Sequence, residues 1–123
     1  MGEEGKGKSF DEKLRALNTL IATQNKGLRL ESMLMLQNRD PTKVQKANSR
    51  LAKKIEQLRR KLHDEWVESA DDVQREVTIA NGQIEEAIKA IEKRIKIAEN
   101  IVKAVGYIDR VVETASKVLA AIS

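Results

Sequence analysis

Val44, Leu51, Ile55, Leu58, Leu62, Trp66, Ala70, Val73, Val77 and Ala80 recur at spacings built from threes and fours. At about 100° per residue they fall in one narrow arc, the signature of a helix that buries one side along its whole length. A strand, whose side chains alternate with period two, cannot gather them on one face. The interior material agrees. The 123 residues hold one Phe, one Tyr and one Trp among 41% hydrophobic residues, so Leu, Ile, Val and Ala must form the core, as they do between packed helices.

The flanking segments read the same way. Ser9-Phe10-Asp11-Glu12 fits a capping box, in which the serine hydroxyl and Glu12 satisfy each other's orphan amides, and predicts a helix start. Leu14, Leu17, Leu20 and Ile21 follow on one face, with Lys13, Arg15 and Asn18 pointing elsewhere. Lys26-Gly27 interrupts that pattern, and the dense apolar run Leu28 to Leu36 after it predicts a weakened or kinked helix continuing to about Asn38, with Met33 and Met35 read as core. Asp40-Pro41 pairs an N-cap acceptor with the one helical position where a missing N–H does no harm. Asn81-Gly82 predicts a reversal, because both residues tolerate the left-handed backbone that ends helices. Against it, Ile84, Ile88, Ile91, Ile95, Ala98 and Val102 continue the preceding stripe in the same phase, as they would in an uninterrupted rod. The hairpin is preferred because a compact chain buries its stripes without a partner. In the final segment Lys96, Glu99, Lys103, Arg110, Glu113 and Lys117 share a narrow arc, while Ile97, Ile101, Ile108, Val111, Val118 and Ile122 lie within an apolar arc of about 200° that one neighbour cannot cover.

The expected fold is all-α: an antiparallel bundle of three long amphipathic helices over 9–38, 41–80 and 83–122, with coiled-coil-like packing. The alternative is a fourth helix from a break near residue 69, where Ser69-Ala-Asp-Asp72 resembles a second capping box. Residues 1–8, rich in Gly and mixed charge, read as a flexible polar tail, and 9–123 as one domain.

Several chemistries lack their residues. Without cysteine there is no disulfide, thiol nucleophile or thiolate metal site. His63 is the only histidine and Arg60 stands three before it, so no Glu-x-x-His or His-x-x-x-His ligand pair can be written, and His63 reads as a boundary residue. Glu65, Glu68, Asp71 and Asp72 lack the glycine-centred loop of a calcium site. Gly2, Gly5 and Gly7 follow no strand and cannot form a phosphate loop, and no serine sits in a nucleophile elbow. No catalytic residue, cofactor or metal is therefore expected. No uncharged run approaches the ~18–20 apolar residues of a membrane span, and the amino-terminal residues are too polar for a signal peptide. A cytoplasmic address is the expectation, with signal-less secretion as the other route.

Charge is the least random feature left. Pro41 to Leu62 carries a local net charge of +7, with Glu56 its only acid, and His63 to Glu76 carries −5, with Arg75 its only base. Lys43, Lys46, Arg50, Lys53, Lys54 and Lys61 share an arc opposite the apolar stripe, a ridge roughly 27 Å long at 1.5 Å per residue. The plain reading is a solvated face that keeps the helix soluble and sets register. The leading functional expectation is a non-enzymatic module acting by helix packing, either self-associating or binding a partner protein through Ile97, Ile101, Ile108, Val111, Val118 and Ile122. The other is a polyanion-binding protein. Its ridge would meet nucleic acid without sequence preference, or an anionic membrane into which the last helix inserts.

Overall fold

A computed structural model describes residues 2–61 and 67–122. Four α-helices, α1 (Gly2–Leu36), α2 (Thr42–Arg60), α3 (Val67–Glu92) and α4 (Ile97–Ile122), pack against one another, and there is no strand among the described residues. The all-α bundle is as expected, but its helices divide elsewhere. α1 begins at Gly2, ahead of the Ser9 capping box. The single helix over 41–80 is two helices, separated by a break between Arg60 and Val67, so the four-helix alternative is the correct one and Ser69 lies inside α3 rather than at its cap. Leu62, His63, Asp64, Glu65 and Trp66 lie outside the described residues, as does the Glu68 side chain. The reversal expected at Asn81-Gly82 is absent, for α3 runs through both. The stripe therefore continues through buried Ile84, Ile88 and Ile91, then stops, leaving Ile95, Ala98 and Val102 exposed.

Both tight turns use one device. Asn38 (φ 57°) takes the left-handed conformation, while Arg39 N–H donates to Leu34 O at 2.8 Å and Asn38 N–H to Met35 O at 3.0 Å. Arg94 (φ 61°) repeats the pattern, Ile95 N–H donating to Ala90 O at 2.8 Å and Arg94 N–H to Ile91 O at 3.0 Å. These paired bonds satisfy orphan carbonyls and reverse the chain. α2 starts one residue later than the Asp-Pro pair predicts: Pro41 is its N-cap and makes no side-chain cap bond, while the Asp40 carboxylate ahead of it accepts the Thr42 N–H at 3.0 Å.

Cross-helix partners give the directions. Thr23 meets Asn81, Lys26 meets Glu85 and Gln37 meets Ile91, so α1 and α3 run parallel. The tight turn after Leu36 and the bonds from Gln45 and Asn48 back to Glu31 make α1 and α2 antiparallel, and α3 and α4 are antiparallel because Asp72 lies beside Lys117, Glu76 beside Thr114 and Glu86 beside Lys103. Each helix touches two ring neighbours extensively: α1 and α4 both pack on α2 and α3, while α2 and α3 stand diagonally apart. Two antiparallel hairpins, α1–α2 and α3–α4, thus lie side by side.

The core is aliphatic, with Leu20, Leu30, Leu34, Leu51, Leu58, Ile84, Ile88, Ile91 and Ile108 fully buried. α1 runs through Gly27 without a break. The glycine lets α2 approach, since a Cβ there would stand 2.0 Å from Asn48 Oδ1. Two side chains depart from their expected places: Lys13 is 6% exposed rather than turned outward, and Met35 is half exposed rather than core, while Met33 is partly buried against the core.

Candidate interaction faces

The apolar residues proposed as an interface are mostly spent inside the chain. Ile108, Val111 and Val118 are buried, and Ile97, Ile101 and Ile122 pack partly buried against the core. The broad arc of α4 is covered by two neighbours, α2 and α3, as its width requires. The charged arc from Lys96 to Lys117 is exposed throughout.

The candidate ridge is brought together only in part. Lys43, Lys46 and Lys53 are exposed on the outer side of α2, and no ion pair forms at them among the described residues. Lys54 and Lys61 are half-buried. Arg50 turns away from the ridge toward α4 and pairs with Asp109 at 2.6 Å, so it belongs to the α2–α4 seam. Arg59 and Arg60 extend the basic end of α2, where Arg60 meets Glu56 at 3.4 Å.

The polar interior was not foreseen. Thr23, fully buried, donates to Asn81 Oδ1, and Asn81 Nδ2 donates to Thr19 O at 3.2 Å, tying α1 to α3 at one height. Glu85 lies between Lys26 (2.9 Å) and Arg29 (2.7 Å). Hydrogen bonds from Arg29 first and Lys26 second pull its carboxyl from the ordinary 4.5 to about 2, against a smaller upward push from burial. Only the stripe phase at Asn81 hinted at this: a polar residue beside Ala80 and Ile84 in a helix must find a partner.

A groove runs along the outer seam of α3 and α4. Its lower part is bounded by Asp72, Glu76, Thr114 and Lys117, its middle of about 410 Å³ by Glu76, Ile79, Gln83 and Arg110, and its upper part by Gln83, Glu86, Lys103 and Tyr107. Among the described residues no three side chains that bind metals come together, and no helix is long and apolar enough to cross a membrane. Compared with family models, curated proteins and solved structures, the chain matches none of them.

Proposed function

We propose that this protein is a non-enzymatic helical-bundle interaction module whose binding face is the basic outer side of α2, which takes an anionic partner. The observation that carries this reading is the set Lys43, Lys46 and Lys53, exposed, making no ion pair among the described residues and backed by an aliphatic core. Helix packing through the apolar arc of α4 is the weaker mode, because Ile108, Val111 and Val118 are already occupied. Insertion of α4 into a membrane loses its basis for the same reason.

The partner this face fits is a phosphate backbone, and nucleic acid is the preferred source. Exposed aromatic residues for base stacking are missing from α2, so sequence preference should be slight. Binding of duplex DNA and single-stranded RNA, followed by fluorescence anisotropy, should weaken with salt at a log–log slope of about −2 to −4 if three to five cations meet phosphates. The triple variant Lys43→Glu, Lys46→Glu, Lys53→Glu should lose binding and keep its helical circular dichroism. Anionic liposomes with entrapped dye supply the other arm. Leakage would favour the membrane, and no binding to any of these at ~50 mM salt, where screening is weak, rules the polyanion reading out.

A further inference from the structure

The groove between α3 and α4 has walls of opposite charge. From α3 come Asp72, Glu76 and Glu86; from α4 come Lys103, Arg110 and Lys117, with Glu113 the acid among the α4 residues that line the groove. All of these are exposed, and among the described residues no ion pair spans the groove. Lys103 pairs only with Glu99 of its own helix at 3.6 Å, and Glu76 accepts only the Thr114 hydroxyl at 3.3 Å. Between the walls stands Ile79, 61% exposed although it borders buried Ala80 and Val111. Gln83 contributes a buried amide oxygen with no hydrogen-bond partner.

The charges are also matched in height. Asp72 shares the lower part of the groove with Lys117, Glu76 shares the middle with Arg110, and Glu86 shares the upper part with Lys103. A twofold axis lying in this face and parallel to the helices turns a second copy so that its α4 stands over α3 of the first, at the same height and antiparallel. Asp72, Glu76 and Glu86 then meet Lys117, Arg110 and Lys103 of the second copy, twice over, Glu113 alone facing a wall of its own sign, and the two Ile79 side chains approach the centre. A twofold axis perpendicular to the helices would instead set α3 over α3, acid against acid. Self-complementarity of one patch is what a twofold interface demands, and opposite charge selects one of the two ways to satisfy it.

We infer that the α3–α4 face binds a second copy of this chain, forming a symmetric dimer with its twofold axis along the bundle. This face is distinct from the basic side of α2, which the dimer leaves open, so either proposal can fail without the other.

Sedimentation and light scattering of the full chain test the inference. At low salt the chain should be a dimer whose dissociation constant rises with ionic strength. Reversing the α3 wall (Asp72→Lys, Glu76→Lys, Glu86→Lys) should yield monomers, because both walls are then basic. Reversing the α4 wall (Lys103→Glu, Arg110→Glu, Lys117→Glu) should do the same with both acidic. Mixing the two variants should restore dimers, which only α3-on-α4 contact across copies explains. Ile79→Lys should weaken the dimer about tenfold or more with circular dichroism unchanged, the residue being exposed. Lys43→Glu with Lys46→Glu should leave the dimer intact. A wild-type chain that is monomeric at low salt and sub-millimolar concentration overturns the inference. So does a dimer that survives both wall reversals, or two reversed variants that do not combine.

Discussion

Two kinds of seam hold this bundle together. Between helices joined by a tight turn, α1–α2 and α3–α4, no ion pair crosses among the described residues, and the polar links are amide or hydroxyl contacts to Glu31 and Glu76. Between non-consecutive helices the charges do cross: Lys26 and Arg29 reach Glu85 from α1 to α3, and Arg50 reaches Asp109 from α2 to α4. A short turn closed by the Asn38 or Arg94 backbone already fixes how far one helix slides along the next. The parallel pairs have no such tether. Their register rests on side chains, and a polar contact that matches at only one height specifies it better than interchangeable aliphatic contacts do.

The strongest effect should come where neither device matters. Ile108→Ala removes a fully buried side chain from α4, and at about 2–5 kcal/mol it should exceed the loss from cutting any one polar link. Chemical denaturation with an unchanged m-value would measure it. A loss no larger than that of Arg50→Ala would mean that the charged seam, not the aliphatic core, holds α4 in place.

The parallel seam is tested at Asn81. Asn81→Ala leaves the Thr23 hydroxyl without its cross-helix acceptor and should cost about 1–3 kcal/mol. The apolar pair Thr23→Val with Asn81→Leu separates stability from register: it should recover much of the lost stability, yet broaden or multiply the amide signals in a two-dimensional NMR spectrum. A single sharp set of signals would show that α1 and α3 find their register without a polar mark.

These seams also explain what the sequence disclosed. The stripe phase carries α3 through Ala80, Ile84, Ile88 and Ile91, and the helix obeys it. Asn81-Gly82 misleads because a turn-forming dipeptide scores on backbone tolerance, whereas here the asparagine is held by Thr23 and Thr19, and Gly82 faces open space. The actual reversal uses Arg94 and Lys96 at positive φ, residue types that announce no turn, at a conformational cost of about 1 kcal/mol or more each. The break after Arg60 is invisible to periodicity, because buried Ile55 and Val73, eighteen residues apart, stay in phase across it. At the ridge, lysines at helical spacing are legible as one face. That Arg50 would turn to Asp109 was not, since it depends on α4 lying beside α2, which no local pattern announces.

The smallest effect sharpens the comparison most, because pH can switch it. Glu85 has its folded pKa lowered to about 2 by Arg29 and Lys26, so protons bind it less readily in the folded chain than in the unfolded one, where the ordinary value is 4.5. Its contribution is therefore fully present above about pH 4.5 and is lost as pH falls toward 2. With Arg29 half exposed, solvent screening reduces that contribution to about 1 kcal/mol. Glu85→Gln should be less stable than wild type at pH 7 by that amount. The gap should shrink in high salt and narrow as pH falls through 2, closing below it as the wild-type carboxyl is itself protonated. A gap that stays constant from pH 7 to pH 2 would mean that the side chain's packing, not its charge, holds α1 against α3, and the distinction between charged and uncharged seams would then be incidental to how the hairpins align.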